Sequence, residues 1–231
     1  MKDWAAFYDS PHSIYVNARH RDLHYGRLAD DIARHVATPT AAVLDYGCGE
    51  ALYADRVANA AGRLVLAEAG PSVRSKLIKR FTGNPRITVV STDRVGHMPA
   101  NAFDLVVMHS VSQYLTAEEF DRIVALFYRL IKPGGLLIVG DVIPPRVPII
   151  ADAVALLRYG WADGFFLAAV GGLIRTFFSE YAQLRTRIGL TRYTEQEMRE
   201  KLTAPGFAVS VAEKNIGHLT TRITFLARKG A

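Results

Sequence analysis

A short loop near residue 45 contains the residues with the clearest chemical meaning in this sequence. An apolar run ends in Asp45, and Gly47 and Gly49 follow in the spacing Asp-x-Gly-x-Gly. Glycines let a backbone turn sharply and approach a ligand closely, and a helix expected after the loop offers free N–H groups to negative charge. A carboxylate two residues before the first glycine suits a ligand that carries an ammonium group. The glycine loop, residues 45–50, therefore predicts a binding site for such a small ligand.

Two other glycine-rich nucleotide loops do not fit this sequence. A nicotinamide or flavin fingerprint needs a third glycine at position 52, where the chain has Leu52. A Walker phosphate loop ends in Gly-Lys-Ser or Gly-Lys-Thr, and neither occurs in the chain. Leu52 thus argues against a nicotinamide-dependent oxidoreductase, which stays the weaker alternative.

The glycine loop must be positioned by the elements around it, and these alternate between strand and helix. Strands are predicted at residues 40–45, 63–67, 87–90, 103–108 and 136–140, and helices at 50–61 and 71–81. A further helix is predicted from the Thr116 N-cap, with Glu119 as its capping-box partner, to Ile131. This order predicts an α/β fold, a doubly wound, mainly parallel seven-stranded sheet with helices on both faces. Ligands bind beyond the carboxyl ends of such strands. Functional residues are therefore expected just after residues 45, 67, 91, 108 and 140.

The remaining sequence predicts additions to this sheet. A helix at 194–202 and strands at 206–211 and 218–227 close the fold. Residues 1–36 are predicted to form an N-terminal helical lid, and residues 145–190 to form two or three helices inserted after the fifth strand. We expect residues 1–231 to form a single domain, with residues 145–190 as a helical cover.

The segment VLDYGCGEALYA, which contains the glycine loop, resembles motif I of the class I methyltransferases that use S-adenosylmethionine (SAM). Glu68 ends the second strand 21 residues after Gly47, where this family places an acid. The segments FDLVVMHSVSQYL, RLIKPGGLLIVGD and YTEQEMREKLTAPGFAV resemble the later motifs. The resemblance covers residues 40–142 and 193–228, and HSVSQYL after the fourth strand is similar to the small-molecule branch of the family.

The resemblance implies SAM as cofactor and assigns roles to residues near the strand ends. These expected cofactor-binding residues are Asp45, Gly47, Cys48 and Gly49 in the loop, Glu68 and Ala69 after the second strand, and Asp93 and Arg94 after the third. In this family the acid at position 68 binds the ribose hydroxyls, which suits an acceptor-only carboxylate. Glu replaces the commoner Asp there, and the segment around Asp93 matches only loosely.

Two residues near the end of the fourth strand are candidates for the acceptor side. His109 ends that strand, and a neutral imidazole there would accept a proton near neutral pH. A cofactor contact or plain packing is an equally good interpretation of His109. Tyr114 and Asp141 lie on the same predicted rim, and the same alternatives stay open for them. A base is needed only if the acceptor must lose a proton.

The N-terminal lid contains a dense group of aromatic and basic residues. His20 and His24 are four residues apart and share one helix face, so both are candidate catalytic residues. Tyr15 and Arg19 are expected to touch the methionine end of the cofactor, and simple packing on the sheet is the alternative. The spacing HRDLH lacks the glutamate of a zinc-protease helix and has no evident third ligand, so no metal site is predicted.

Composition bears on the chemistry of the chain and on its location in the cell. The chain has a formal net charge of +6 and a single cysteine, Cys48. Cys48 is either a reactive thiol or, as we prefer, a small buried residue. No apolar run reaches the roughly twenty residues of a membrane span, and we expect a cytoplasmic protein.

The apolar cover predicts a hydrophobic or lipid-like small acceptor. Peripheral contact with a membrane and a homodimer contact are alternative uses of the same surface. No nucleic-acid partner is predicted, because no Asn/Asp-Pro-Pro-Tyr motif follows the fourth strand. A SAM-binding or membrane-surface module without catalytic activity stays open as an alternative function.

Overall fold

The computed structural model describes Asp9 and residues 15–145, 149–177, 189–217 and 219–231, without the side chains of 149–152 and 174–177. Two expectations fall outside these residues. They are the helical lid before residue 15 apart from Asp9 and a third helix of the cover within 178–188.

A seven-stranded sheet forms the centre of the molecule, in the order β3-β2-β1-β4-β5-β7-β6. Its strands are β1 (Ala42–Tyr46), β2 (Arg63–Ala67), β3 (Ile87–Val90), β4 (Phe103–His109), β5 (Ile131–Val142), β6 (Phe207–Val211) and β7 (Ile223–Lys229). The first five strands pair in parallel, and β7 pairs antiparallel with both β5 and β6. The predicted doubly wound, mainly parallel sheet is confirmed. The strand order reverses between β1 and β4, which is where such sheets bind ligands.

Helices cover both faces of the sheet, and eight are found among the described residues. They are α1 (Ala18–Arg34), α2 (Ala54–Ala60), α3 (Pro71–Phe81), α4 (Thr92–Val95), α5 (Ala117–Leu130), α6 (Ile149–Ala162), α7 (Phe166–Phe177) and α8 (Glu195–Thr203). One apolar core packs α5 and α8 on one face, and a second packs α1, α2 and α3 on the other. Side chains of the parallel strands are therefore buried on both faces, which explains their continuous apolar runs.

Local signals explain where several helices begin and end. The Thr116 side chain accepts from the Glu119 backbone N–H and Glu119 returns a bond to the Thr116 N–H, so the predicted capping box is confirmed. The same reciprocal pair forms between Thr194 and Glu197 before α8. Helix α5 ends one residue before the predicted Ile131, which instead opens β5 by pairing with Phe103.

Three predicted boundaries are wrong by four or five residues. Strand β5, expected at 136–140, begins already at Ile131, which pairs with Phe103. The helix expected from Glu50 begins only at Ala54, because the loop continues through Ala51, whose φ is +39°. The last strand begins at Ile223 rather than near 218, because Asn215 holds the Leu219 carbonyl in a turn.

The cover contributes a helical hairpin, α6 and α7, that packs on α1. Tyr159, Phe165 and Ala169 are buried there against Val16 and Leu23. Within the part of the chain that the structure describes, no helix is both long enough and apolar enough to span a bilayer.

Candidate active site

The glycine loop has the conformation that its sequence predicts. Gly47 and Gly49 have φ values of +75° and +57°, a region that other residues adopt at a cost. A Cβ atom on Gly47 would lie 2.5 Å from Val111 Cγ2, and one on Gly49 would lie 2.8 Å from the Tyr25 hydroxyl. The Gly47 N–H donates to the Ala67 carbonyl at 2.8 Å and so fixes the loop against β2. Side chains are thus excluded from both positions by conformation and by space.

Glu68 joins the glycine loop to the end of β2. Its side chain is buried, and its Oε2 accepts from the Gly49 N–H at 2.9 Å while Oε1 accepts from the Gly70 N–H at 2.8 Å. An ionised carboxylate has about four acceptor sites, so each oxygen keeps capacity for a further donor. Arg74 donates to the carbonyls of Glu68 and Ala69 and holds this turn from below. Glu68, the residue expected to bind the ribose hydroxyls, therefore lies directly beside the glycine loop.

Asp45 and Cys48 lie on the inner side of the loop. Both line a small cavity together with Tyr25. Burial, with a smaller contribution from the neighbouring Glu68 carboxylate, raises the pKa of Asp45 to about 7. Burial also raises the pKa of the Cys48 thiol, which favours a small packed residue over a reactive thiolate.

Asp93 and Arg94 are exposed in α4, directly after β3. The Asp93 carboxylate is close enough to Tyr46, at the end of β1, to contribute to the raised pKa of that tyrosine, whose main cause is burial. Asp93 thus lies at the same edge of the sheet as the glycine loop.

The N-terminal segment reaches the same edge at Asp9. Its carboxylate accepts from the Ser72 N–H at 2.6 Å and from the Ser72 hydroxyl at 3.2 Å, and thereby caps α3. The helix needs this cap because its own N-cap residue is Gly70. Sequence reasoning missed Asp9, and the lack of a capping side chain before Pro71 was the available signal.

Two tyrosines and a histidine of the lid lie over the glycine loop. The Tyr25 hydroxyl accepts from the Glu50 N–H at 3.0 Å and from the Tyr15 hydroxyl. The His24 ring centre lies 5.1 Å from that of Tyr25 and 6.0 Å from that of His109. Helix α1 therefore places His24 at the end of β4, with Tyr15, which precedes the helix, packed on His24.

Arg19 and His20 point elsewhere, towards the hairpin. Arg19 Nε donates to the Asp163 carbonyl at 2.6 Å. The His20 ring stacks on Phe165 with centres 5.3 Å apart, and burial lowers the pKa of His20 to about 4. A neutral, stacked imidazole fits the packing of α1 against the hairpin.

His109 is buried at the end of β4, with both ring nitrogens near protein atoms. Nδ1 lies 3.1 Å from the Ser110 hydroxyl and Nε2 lies 3.3 Å from the Ile216 carbonyl. Burial lowers the pKa of His109, and the Asp141 carboxylate opposes this shift. Tyr114 follows in a short 3₁₀ turn and is partly buried. Ser110, which the sequence reasoning missed, connects His109 to Asp141; its position directly after a strand end was the signal.

Comparisons with known proteins agree with this geometry. Residues 44–139 match the family model described as a methyltransferase domain. A search of curated proteins finds no match. The fold is similar to that of DhpI in complex with S-adenosylhomocysteine (SAH), with a TM-score of 0.63, 14% identity, and coverage of 99% of this chain and 96% of that one.

Two further solved structures have the same fold. The N-methyltransferase NodS from Bradyrhizobium japonicum WM9 in complex with SAH gives a TM-score of 0.56 and 19% identity, covering 92% of this chain and 87% of that one. A chain of the complex between the Haloferax volcanii Trm112 methyltransferase activator and the putative methyltransferase gives 0.61 and 15%, covering 99% and 97%.

Residues 44–139 thus resemble a methyltransferase domain, whose cofactor would be SAM. The residues present fit this cofactor. A cradle at Gly47 and Gly49 has no room for a side chain, and it is flanked by the carboxylates of Asp45 and Glu68. These are the groups that an adenosyl amino acid requires, since its ribose donates hydroxyls and its amino-acid end carries an ammonium group.

Proposed function

We propose that this enzyme transfers a methyl group from SAM to a small, hydrophobic or lipid-like acceptor that binds beneath the cover. The observation that carries the proposal is the position of α1. One side of this helix closes the glycine loop through Tyr25, and the other packs on the apolar hairpin through His20. The cofactor and the cover are thereby joined through a single element.

On the cofactor side, each residue has a distinct proposed role. Asp45 would bind the ammonium group, Glu68 would accept from the ribose hydroxyls, and Asp93 would bind the adenine amino group. Bound SAM would supply a methyl group on a positively charged sulfur. The chain orients the two reactants and excludes water, which can provide much of the rate for an in-line displacement.

On the acceptor side, the hairpin is apolar on both of its faces. Its inner face buries Tyr159 and Phe165. Its outer face exposes large apolar side chains, namely Val154, Trp161, Phe166, Leu167 and Val170. Trp161 is 76% exposed and Leu167 is 85% exposed. An apolar outer face next to Arg158 suits contact with an anionic membrane that holds a greasy substrate.

Labelled SAM and fractionated cell extract test the acceptor class. The protein is incubated with labelled SAM and each fraction, and label is expected in the lipid fraction. Label confined to small, polar molecules would contradict the hydrophobic acceptor while leaving the methyltransferase assignment in place. SAM binding without label in any fraction would instead favour a SAM-binding module without catalytic activity.

Flotation with anionic liposomes tests the outer face of the hairpin. Trp161→Ser with Leu167→Ser is expected to abolish flotation, because both side chains are exposed and their loss leaves the core intact. Ile78→Ser is the matched control, since Ile78 is 51% exposed on α3, away from the hairpin. Wild-type protein that stays in solution would contradict membrane contact. A change from dimer to monomer in the double variant would show that the face binds a second copy of the chain.

A further inference from the structure

Two neighbouring strands end in the same unusual backbone conformation. Ser110, after β4, has a φ of +56°, and Asp141, near the end of β5, has a φ of +62°. Neither residue is glycine, and side chains adopt this region only at a cost. The two strands are adjacent, with His109 paired to Gly140. Strain that persists at the ligand-binding edge of a sheet is typical of functional sites.

The strained positions bring three polar side chains into one chain of contacts. The Ser110 hydroxyl donates to Asp141 Oδ2 at 2.7 Å and also lies 3.1 Å from His109 Nδ1. On its other side, His109 Nε2 lies 3.3 Å from the Ile216 carbonyl oxygen. The order of contacts is thus Asp141, Ser110, His109, Ile216.

Neighbouring residues hold this series of contacts in place. Asn215 Oδ1 accepts from both the Asp141 N–H and the Thr224 hydroxyl, and the latter accepts from the Ile216 N–H. A Cβ atom on Gly140 would lie 2.9 Å from the His109 ring, so glycine is required for the ring to fit. The imidazole is 8% exposed and has protein atoms at both nitrogens. His109 is therefore poorly placed to meet an acceptor molecule itself.

The hydrogen bonds around His109 and Ser110 can accommodate one proton more than neutral His109 and Ser110 carry. The contact of Nε2 with the Ile216 carbonyl uses the proton of a neutral imidazole. The Ser110 hydroxyl has one hydrogen, which can serve either the Asp141 carboxylate or Nδ1, and the two contacts compete for it. A proton added to His109 lets Nδ1 donate to Ser110 while Ser110 donates to Asp141. Protonation therefore completes the hydrogen bonds instead of breaking them.

We propose that Ser110 receives the proton that the methyl acceptor loses and passes its own proton to His109, with Asp141 as the counter-charge. The proposal rests on the proposed methyl transfer. The bond between the methyl carbon and sulfur breaks as the bond between carbon and the acceptor atom forms. The acceptor's proton moves to Ser110 Oγ, and the former hydroxyl proton moves to His109 Nδ1. Ser110, partly exposed at the rim, is the group that touches the acceptor, and His109 and Asp141 act through it.

Charged and titratable groups face these contacts from two parts of the fold, the segment before β7 and helix α1. Arg222, just before β7, has its Nε 3.8 Å from Asp141 Oδ1, and its side chain is 7% exposed. Helix α1 contributes His24 at 6.0 Å between ring centres, and also Asp31, whose carboxylate favours protonated His109.

Histidine NMR tests the proton path without any acceptor. Nitrogen-15 shifts of His109 are followed against pH in the wild type, Ser110→Gly, Asp141→Asn and the exposed control Ser210→Ala. Glycine and asparagine both tolerate positive φ, so the backbone conformation is kept. Asp141→Asn is expected to lower the His109 pKa by about one unit or more, as loss of a close carboxylate does. In Ser110→Gly, the Nδ1 signal is expected to lose its hydrogen-bonded shift. Unchanged His109 signals in both variants would overturn the proposal.

Turnover on whichever extract fraction takes the label separates this proposal from the proposed function. Ser110→Gly and Asp141→Asn are expected to lower kcat by about 10²-fold, within the usual range for acid–base catalysis. Their SAH affinity should stay within about threefold, and the acid limb of the pH profile should shift in Asp141→Asn. Wild-type turnover that both variants retain would refute the relay and leave the methyltransferase in place. No wild-type turnover or SAM binding would refute the proposed function itself, whatever the NMR result.

Discussion

The cofactor region and the cover are built in different ways. At the glycine loop, function depends on backbone conformation and on short, regular spacing, with Gly47, Gly49 and Glu68 at successive strand ends. At the cover, contacts join side chains that are far apart in sequence, as between Arg27 and Asp163 at 2.8 Å. The first region tolerates few residues at each position, whereas the second can be assembled from many apolar sequences.

This difference bears on which ligand each region is suited to recognise. On our proposal, the backbone cradle would recognise the constant part of the reaction, the cofactor, because its N–H groups and carboxylates lie at fixed positions. The hairpin would offer an apolar surface to a class of acceptors, with few polar groups to select among them. Substitutions in the glycine loop should therefore affect SAM binding strongly. Substitutions of the residues that connect the cover to α1 should affect it little.

The largest effect is expected from Gly47→Val. The new Cβ would lie 2.5 Å from Val111 Cγ2, and the loop would have to move out of the cofactor site. Overpacking of this kind costs about 1–3 kcal/mol, so SAH affinity should fall by up to about 100-fold in calorimetry. Gly83→Val is the control, because Gly83 has a φ of +86° and open space around its Cβ position. Equal loss of affinity in the two variants would show that strain, and not the cradle, is responsible.

Replacing Glu68 should have the next largest effect. Glu68→Ala removes the acceptor for the Gly49 and Gly70 N–H groups and for the ribose hydroxyls. Hydrogen bonds to charged groups contribute about 1.5–3 kcal/mol each, and SAH binding should weaken tenfold or more. Glu68→Asp should retain more affinity because it keeps the carboxylate. If Glu68→Ala binds SAH like the wild type, the proposed ribose contact is wrong.

The pH dependence of binding should be smaller and should depend on Asp45. The pKa of Asp45 is raised to about 7, so its carboxylate is protonated in a growing fraction of molecules as the pH falls below 7. An ammonium ligand favours the ionised form, and SAH affinity should therefore fall about tenfold between pH 8 and pH 6. Asp45→Asn should bind more weakly and show a flat profile over this range. A wild-type profile as flat as that of the variant would contradict a contact between Asp45 and the ammonium group.

The same raised pKa has the opposite effect on the protein without ligand. Folding disfavours the charged Asp45, so its contribution makes the free energy of unfolding fall as the pH rises from about 4 through about 7. Asp45→Asn should reduce this decrease, as measured by urea unfolding at several pH values.

The smallest effect is expected from Asp163→Asn in the cover. The ion pair with Arg27 is partly exposed, so its loss should lower the free energy of unfolding by less than about 1 kcal/mol. SAH affinity should not change, because Asp163 contacts the cover side of α1. Asp30→Asn, which breaks the ion pair between Asp30 on α1 and Arg56 on α2, is the control. A large loss of SAH affinity in Asp163→Asn alone would show that the two regions are coupled.

The same contrast explains how far the sequence could be interpreted. Strand β2, helix α3 and strand β3 were predicted with their observed bounds, because continuous apolar runs and Pro71 mark them. The capping box at Thr116 was predicted because it depends on residues three apart. Asp9 on Ser72 and Ser110 on Asp141 were missed, since those pairs are 63 and 31 residues apart. Such contacts depend on the tertiary fold, and the local spacing of residues in the sequence does not predict them.

Calorimetric titration with SAM and SAH tests the central claim most directly. The wild-type protein is expected to bind one equivalent of either ligand in the micromolar range, as a largely enclosed small-molecule site allows. Gly47→Val, with an unchanged circular dichroism spectrum, should bind both ligands up to about 100-fold more weakly. Absence of heat and of any thermal shift with both ligands in the wild type would contradict the account.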